Sequence, residues 1–307
     1  MSAQIMKPGI YSEMPEADYF ADPCPKPSLS HSIARLLLDR SPMHAAAAHP
    51  RLKGEMPETV SAAMDEGSIL HALLLGRGSK FVALPYGDYR KKEAQEARDE
   101  ARAQGLIPVL HDKLESLRAC AKAVEASIRE HPDCQAFFEP GTSETVIAWE
   151  EHGIWCRGLI DRLPDDPRAP IFDLKTTAMS AAPQDWERTL IRTYCTQDAF
   201  YRWGWRALRY PDRPFLFIVA ERQAPYGVTA MACGASLRDY AERRVARAVA
   251  LWRQCIETNE WPGYPPMTAY VEAPAYLLDV EAGDIMQRQS AATATEIDET
   301  ILEEILR

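Results

Sequence analysis

Apolar residues in the N-terminal part of the chain recur at helical spacing. In the stretch 112–130, Leu117, Ala121, Val124 and Ile128 fall on one face of a helix that has about 3.6 residues per turn. The turn-forming pairs Ser-Pro and His-Pro end two such patterns, because proline cannot continue a helix. Helices are therefore predicted at 30–40, 66–75 and 112–130.

Two further N-terminal stretches have no apolar stripe. Residues 91–104 are charged throughout and rich in Ala, Glu and Arg, which is typical either of a solvated helix or of a mobile segment. Residues 1–20 are rich in Pro and turn formers, and they predict an extended arm.

From about residue 144 the pattern changes to short runs of β-branched and aromatic residues. The turn-prone sequences EEHG and PDDPRAP separate the first three runs, which predicts consecutive antiparallel strands. The run FLFIVAE is almost wholly apolar and predicts a central strand, and an Ala-Pro-Tyr-Gly turn leads to its hairpin partner. The predicted strands are 144–149, 154–161, 171–176, 215–221 and 227–233, and the predicted helices among them are 196–209 and 236–258.

This order of elements predicts an α/β or α+β fold in which a central mixed β-sheet is flanked by helices. We expect one domain over 1–286, with a helical part to about residue 135 and the sheet with its helices from about 136 to 265. Residues 287–307 are expected to form a tail with a short acidic helix. One side of that helix would carry Ile297, Ile301, Leu302 and Ile305.

Composition narrows the class of protein. The chain has 307 residues, 46% apolar and 26% charged, which is ordinary for a globular protein. It has no apolar run of bilayer length and no signal peptide pattern, so we expect a cytoplasmic protein without a membrane span. Its seven scattered cysteines form no CxxC pair, which predicts free thiols and argues against a structural zinc site. A net charge of -10 argues against a nonspecific nucleic-acid coat protein, although a cleft can be locally basic.

Candidate chemistry lies on two of the predicted strands. In the run IFDLKT, side chains alternate between faces, so Asp173 and Lys175 share one face while apolar neighbours take the other. Asp161 ends the preceding strand, and an antiparallel turn can bring it beside Asp173. Two carboxylates suit Mg²⁺ or Mn²⁺ better than zinc, and a neighbouring ammonium can orient water and offset charge on a phosphate.

Each feature alone has a simpler reading. An Asp-x-Lys on a strand is usually a surface ion pair, and an isolated Asp at a strand end is usually a turn residue. The joint pattern is much rarer by chance than either part.

The joint pattern resembles a known family. GLIDRL followed by IFDLKTT is similar to the core of PD-(D/E)xK nucleases of the RecB/RecE type, which have a restriction-endonuclease-like fold. Upstream, EGSILH is similar to the G-x-x-x-H helix motif of this branch, and downstream QDAFY is similar to its Q-x-x-x-Y motif. Weaker similarity at LSHSIARLLLDRSPMH and WPGY favours the exonuclease VIII type of phages and prophages.

The resemblance implies a role for each matching residue. Metal binding is implied for His71, Asp161 and Asp173, and direct participation in catalysis for Asp161, Asp173, Lys175, Gln197 and Tyr201. Glu144 is a lesser candidate for the first acid of the family. Taken alone, His71 would be a core histidine, and Gln197 with Tyr201 would be a half-buried helix face.

Three predictions concern DNA contacts, cofactors and the absence of a motor. Arg188, Arg192 and Arg202 are candidates for contacts with DNA phosphates, and they could equally be ordinary solvated arginines. We predict no iron–sulfur cluster, because relatives that carry one use three late cysteines and this chain has only Cys233 and Cys255 there. The chain has no P-loop, which predicts a nuclease without a motor.

The resemblance implies a Mg²⁺-dependent (or Mn²⁺-dependent) exodeoxyribonuclease that acts on double-stranded DNA ends. It further implies 5′→3′ polarity, production of 3′ single strands for recombination, a single-strand annealing protein as partner, and a ring-shaped homo-oligomer. Two alternatives stay open: a structure-specific endonuclease on the same fold, and a non-catalytic DNA-binding accessory protein of recombination. The second would not need the Asp161, Asp173 and Lys175 set.

Overall fold

The computed structural model describes residues 4–53, 62–275 and 278. Met1–Tyr264 form one compact unit, and Pro265–Arg307 form a second unit. The expected boundary at residue 286 stays a prediction. The tail helix predicted within 287–307, with Ile297, Ile301, Leu302 and Ile305, lies outside the described residues.

Within the described residues, the predicted helices and strands are present, with boundaries that differ by a few residues. The helices are α1 Glu16–Phe20, α2 His31–Asp39, α3 Pro42–Ala48, α4 Ala62–Leu75, α5 Lys92–Ala103, α6 His111–Glu130, α7 Pro183–Thr189, α8 Cys195–Ala207 and α9 Ala235–Thr258. A 3₁₀ turn spans Pro132–Phe138 and a π-helical turn spans Leu190–Tyr194. The strands are β1 Gly9–Tyr11, β2 Leu29–Ser30, β3 Phe81–Leu84, β4 Ile107–Leu110, β5 Gly141–Glu151, β6 Ile154–Pro164, β7 Ile171–Thr177, β8 Phe215–Glu221 and β9 Val228–Met231.

The N-terminal segment is the main correction to the predicted elements. The prediction of an extended arm was wrong, because β1 pairs with β5 and α1 follows it. Ile5, Met14 and Tyr19 are buried against Val146 and Trp155 of the sheet. β1 and α1 are too short for a hydrophobic period to be visible in the sequence. Burial of their few apolar side chains against the sheet fixes the segment in the fold. The charged stretch around α5 is a helix, which decides between its two readings.

The main sheet is mixed. Its order is β1-β5-β6-β7-β8-β9, and β2 pairs in parallel with β6. Strands β5, β6 and β7 form the predicted antiparallel meander, whereas β8 runs parallel to β7. Parallel neighbours need a crossover, and α7, the π-helical turn and α8 provide it. The α+β fold with a central mixed sheet flanked by helices is confirmed.

Helices cover the sheet through two separate apolar clusters. One cluster joins α2, α8 and α9 to the sheet and includes Trp149, Phe200 and Trp252, all fully buried. The other joins α4 and α6 to the sheet through residues that include Leu70 and Phe172. The strand pair β6–β7 can therefore be approached by side chains from two different helical layers.

No helix in the described part of the chain is both long and apolar enough to cross a bilayer.

Candidate active site

The predicted acids meet where β6 and β7 separate. These strands are bridged at Arg162 and Phe172, and this antiparallel register brings Asp161 next to Asp173. Beyond this bridge the backbone amide of Leu174 donates a 2.7 Å hydrogen bond to Oδ2 of Asp161. The side chain of Asp161 thus takes the place of a backbone carbonyl as the hydrogen-bond acceptor of β7. The two strands separate beyond this point, and both carboxylates lie in the gap between them, which we call the fork.

Helix α4 closes one side of the fork with His71. Its Nε2 lies 2.9 Å from Oδ2 of Asp161, and its Nδ1 lies 3.3 Å from Oε1 of Glu144. Glu144 stands on β5 with φ of 52°, in the left-handed region that non-glycine residues rarely adopt. Such a backbone conformation costs of order 1 kcal/mol or more and persists where the surrounding contacts fix it. Here it accompanies a buried carboxylate that reaches the imidazole.

Helix α8 closes the other side of the fork with Gln197. Its Nε2 donates a short hydrogen bond to Oδ2 of Asp173, which is fully buried. The other oxygen of Asp173 forms an ion pair with Nζ of Lys175, as expected for two residues on one strand face. The carboxylate is therefore fixed by one amide and one ammonium.

The ammonium of Lys175 also contacts the face of an aromatic ring. Its Nζ lies 4.8 Å from the ring centroid of Tyr194, which stacks on Trp186 at 5.4 Å with an interplanar angle of 4°. Tyr194 is the last residue of the π-helical turn, and single π turns occur frequently at functional sites. The widened turn places the ring under Lys175 and leaves Gln197 directed at Asp173.

Tyr201 supports the strand that carries Asp161. Its hydroxyl accepts a 3.3 Å hydrogen bond from the backbone N–H of Leu159. A Cβ at Gly158 would lie 3.0 Å from the Tyr201 ring, so the glycine of the Gly-x-x-Asp motif lets the ring approach the backbone. The expected role of Tyr201 in the cleft stays a prediction, since its hydroxyl contacts β6 backbone.

Three carboxylates, those of Glu144, Asp161 and Asp173, are buried close together in the fork, and this shifts their pKa values. Burial, followed by repulsion from Asp161, raises the pKa of Asp173 to about 6. Burial also raises the pKa of Glu144, and Asp161 adds to the effect. Burial would raise the pKa of Asp161 as well, but His71 outweighs it and the pKa is lowered. Burial lowers the pKa of His71, but the neighbouring carboxylates of Asp161 and Glu144 outweigh burial, so its pKa is raised overall.

These residues fit a divalent cation. The ligand atoms of His71, Glu144 and Asp161 all lie within 4.8 Å of one another. Carboxylate oxygens with one imidazole suit Mg²⁺ or Mn²⁺, and a cation would neutralise acids whose ionised forms burial disfavours. Asp173, predicted as a further ligand, lies beside this cluster and contacts Lys175 and Gln197 instead. Its place among the ligands stays a prediction.

The predicted DNA-contacting arginines have different surroundings. Arg188 on α7 and Arg192 in the π-helical turn are exposed and form no ion pair with any described residue. Arg202 on α8 forms an ion pair with Asp212, and its side chain is mostly buried. Only the first two are thus open to a phosphate as they stand.

Two residues near the fork were not among the predicted site residues, although His31 lies within the sequence LSHSIARLLLDRSPMH. Tyr194 lies outside every quoted motif, and only a π-helical turn, which has no sequence period of its own, explains its position. His31 at the start of α2 bonds through Nε2 to Oγ1 of Thr196 at 3.0 Å, across 165 residues of chain. The similarity of LSHSIARLLLDRSPMH to the exonuclease VIII type was the available hint for His31, and it implied no role for this residue.

Comparisons with known proteins agree with the fold and with the superfamily that the motifs predict. The family model of a PDDEXK-like domain of unknown function (DUF3799) matches residues 30–274. No curated protein matches the sequence. A crystal structure from Eubacterium rectale, of a protein provisionally named an exonuclease, has a TM-score of 0.51 and 14% identity over 84% of this chain and 94% of that one. At this identity the likeness concerns the fold. The family match covers most of the chain, so the protein belongs to this PDDEXK-like family and, as its motifs predict, to the PD-(D/E)xK nuclease superfamily.

Proposed function

We propose that the protein is a metal-dependent exodeoxyribonuclease that degrades linear double-stranded DNA. The observation that carries this proposal is the fork between β6 and β7, where a His71–Glu144–Asp161 cluster stands beside an Asp173–Lys175 pair. A surface ion pair would not need burial of Asp173, and a DNA-binding module would not need clustered acids. Both features suit hydrolysis of a phosphodiester.

Each residue has a distinct task in this proposal. His71, Glu144 and Asp161 would hold a divalent cation, which would supply Lewis-acid stabilisation of the charge that develops on the phosphate. Lys175 keeps its proton on Nζ: burial lowers its pKa, but Asp173 and Asp161 outweigh burial and raise it. Its ammonium orients the attacking water and offsets negative charge on the scissile phosphate. Gln197 fixes the carboxylate of Asp173, and through it the position of that ammonium.

The finer parts of the proposal rest on sequence resemblance. Polarity of 5′→3′, release of 3′ single strands for recombination, a single-strand annealing partner and a ring-shaped homo-oligomer follow the exonuclease VIII type. The name of the Eubacterium rectale neighbour is in line with exonuclease activity. Cytoplasmic location and preference for Mg²⁺ or Mn²⁺ belong to the same proposal.

A structure-specific endonuclease on this fold is the second candidate, because the fork suits any phosphodiester that reaches it. The shape of the DNA that is cut separates the two functions. An exonuclease requires an end, whereas an endonuclease also cuts covalently closed duplex DNA.

The test compares linear and closed-circular duplex DNA with and without Mg²⁺ or Mn²⁺. We expect loss of the linear form only, in the presence of metal, and a fall of about a hundredfold or more in rate for Lys175→Ala. Lys122→Ala, which removes an exposed lysine from α6, is the matched control and should cleave like wild type. Labels at the 5′ and 3′ ends then give the polarity. Cleavage of closed circles would favour the endonuclease, and absence of any cleavage would leave the accessory protein.

A further inference from the structure

A cationic groove adjoins the candidate active site. Helix α2, the π-helical turn and helix α9 form its walls and enclose a cavity of about 320 Å³, a size that small ligands occupy. Arg35 enters from α2, Arg192 from the π-helical turn and Arg244 from α9. Arg35 and Arg192 form no ion pair with any described residue, although the chain as a whole carries a net charge of -10. Unpaired cations gathered in one groove of an acidic protein favour an anionic ligand.

The α9 wall of this groove is fixed in place. Arg244 donates a 2.6 Å hydrogen bond to Oδ1 of Asp39 and a 3.3 Å hydrogen bond to the hydroxyl of Tyr240. Its guanidinium also lies 5.8 Å from the centre of the Tyr240 ring. The ring of Tyr240 and the side chain of Ile191 are each 41% exposed. The groove therefore offers guanidinium groups together with an apolar and aromatic surface.

The groove lies close to the catalytic fork, although no fork residue lines it. Thr196 lines it, and the next residue, Gln197, bonds to Asp173 in the fork. His31 bonds to Thr196 and lies close enough to both Lys175 and Arg35 to respond to their charges. Burial, with these two cations, lowers the pKa of His31 to about 3, so the imidazole is neutral and the positive charge comes from Lys175 and the arginines.

We propose that this groove binds the sugar–phosphate backbone of the cleaved DNA strand next to the scissile phosphate. Arg35 and Arg192 contact the phosphates, and Tyr240 packs against a sugar or a base. The inference deepens the proposed nuclease function and rests on it. It assigns the DNA strand a path from Lys175 between α2 and α9, and it adds Arg35 and Tyr240 to the predicted phosphate contact Arg192. A base-independent contact of this kind positions the strand and carries no sequence preference.

Binding is measured by fluorescence anisotropy of a labelled blunt-ended duplex in EDTA, over a range of salt concentrations. The variant is Arg35→Gln/Arg192→Gln, and its matched control is Arg118→Gln/Arg129→Gln, which removes two exposed arginines from α6. The groove variant should bind at least tenfold more weakly, and the slope of log K against log salt should fall by about 2. The control should keep both values of the wild type.

The outcomes separate the groove from the nuclease. Equal binding by the groove variant and its control would overturn the groove, while metal-dependent cleavage by wild type would leave the proposed function standing. A wild type that neither binds nor cleaves DNA would overturn both. Circular dichroism and thermal unfolding of the groove variant check that weaker binding reflects lost contacts, and a Kd that recovers in Arg35→Lys/Arg192→Lys would support the role of charge.

Discussion

Asp198 gives a quantitative test of the electrostatics around α8. It follows Gln197 directly but faces away from the fork, and it is only 2% exposed. Its Oδ1 is buried and accepts no hydrogen bond from any described residue. Burial raises the pKa of Asp198 to about 6, although Arg202 and a hydrogen bond from Cys233 act in the opposite direction. Its ionised form therefore destabilises the fold.

The size of the effect follows from the two pKa values. The carboxyl titrates at 3.8 when unperturbed and at about 6 in the fold, and one pKa unit corresponds to about 1.4 kcal/mol. Because the folded pKa is the higher one, the native state binds more protons between these values, and stability falls as pH rises from about 4 to about 6. At pH 8 the penalty is about 3 kcal/mol, and at pH 5 it is about half of that.

Asp198→Asn keeps the shape of the side chain and removes its charge. We expect its free energy of unfolding to exceed that of wild type by about 1–3 kcal/mol at pH 8, and by less at pH 5. Urea unfolding followed by tryptophan fluorescence measures both values. Asp239→Asn, an exposed site on α9, is the matched control and should change stability by less than about 0.5 kcal/mol. The reasoning is wrong if Asp198→Asn is no more stable than wild type at pH 8, or if its advantage grows as pH falls.

Substitutions at three further positions test packing, positioning and metal binding. In Gly204→Ala a Cβ would lie 2.6 Å from the buried ring of Trp149, so the free energy of unfolding should fall by about 1–3 kcal/mol; no change in urea unfolding would contradict this. Tyr194→Leu removes the ring under Lys175 and should lower kcat about tenfold with little change in KM, whereas Tyr194→Phe should retain wild-type kcat; equal kcat values for the two variants would exclude a cation–π role. His71→Gln should weaken Mn²⁺ binding, measured by calorimetry, by about tenfold or more, and unchanged affinity would exclude His71 as a ligand.

The pairing of Asp173 with Lys175 could be predicted from the sequence, because side chains along a strand alternate between its two faces. Asp173 and Lys175 are two residues apart on β7, so any strand there places them on one face. The neighbouring apolar residues Phe172 and Leu174 had to take the opposite face, and both join the cluster under α4 and α6. The same argument predicted the meander, since turn-prone sequences separate its strands. Such features need no knowledge of the rest of the chain.

Other parts of the site depend on distant contacts that have no sequence period. Glu144 was only a lesser candidate, because its position in the cluster depends on a left-handed backbone conformation in the middle of β5. A glutamate rarely adopts this conformation, so its presence at position 144 does not predict a left-handed residue as a glycine would. The N-terminal segment was likewise mispredicted, because β1 is a strand of three residues that exists through pairing with β5. In both places tertiary contacts override local preference.

The two helical layers of the fold have to be assembled before the fork can take its final geometry. His71 comes from α4 and fixes Asp161, whereas Gln197 comes from α8 and fixes Asp173. These helices belong to separate apolar clusters on the sheet, so neither layer alone orients both carboxylates. The charge of Asp161 also raises the cost of burying the ionised form of Asp173, and a cation bound by Asp161 would reduce that cost. Metal binding should therefore stabilise the packing of both layers on the sheet together, because it acts on the strands that they share.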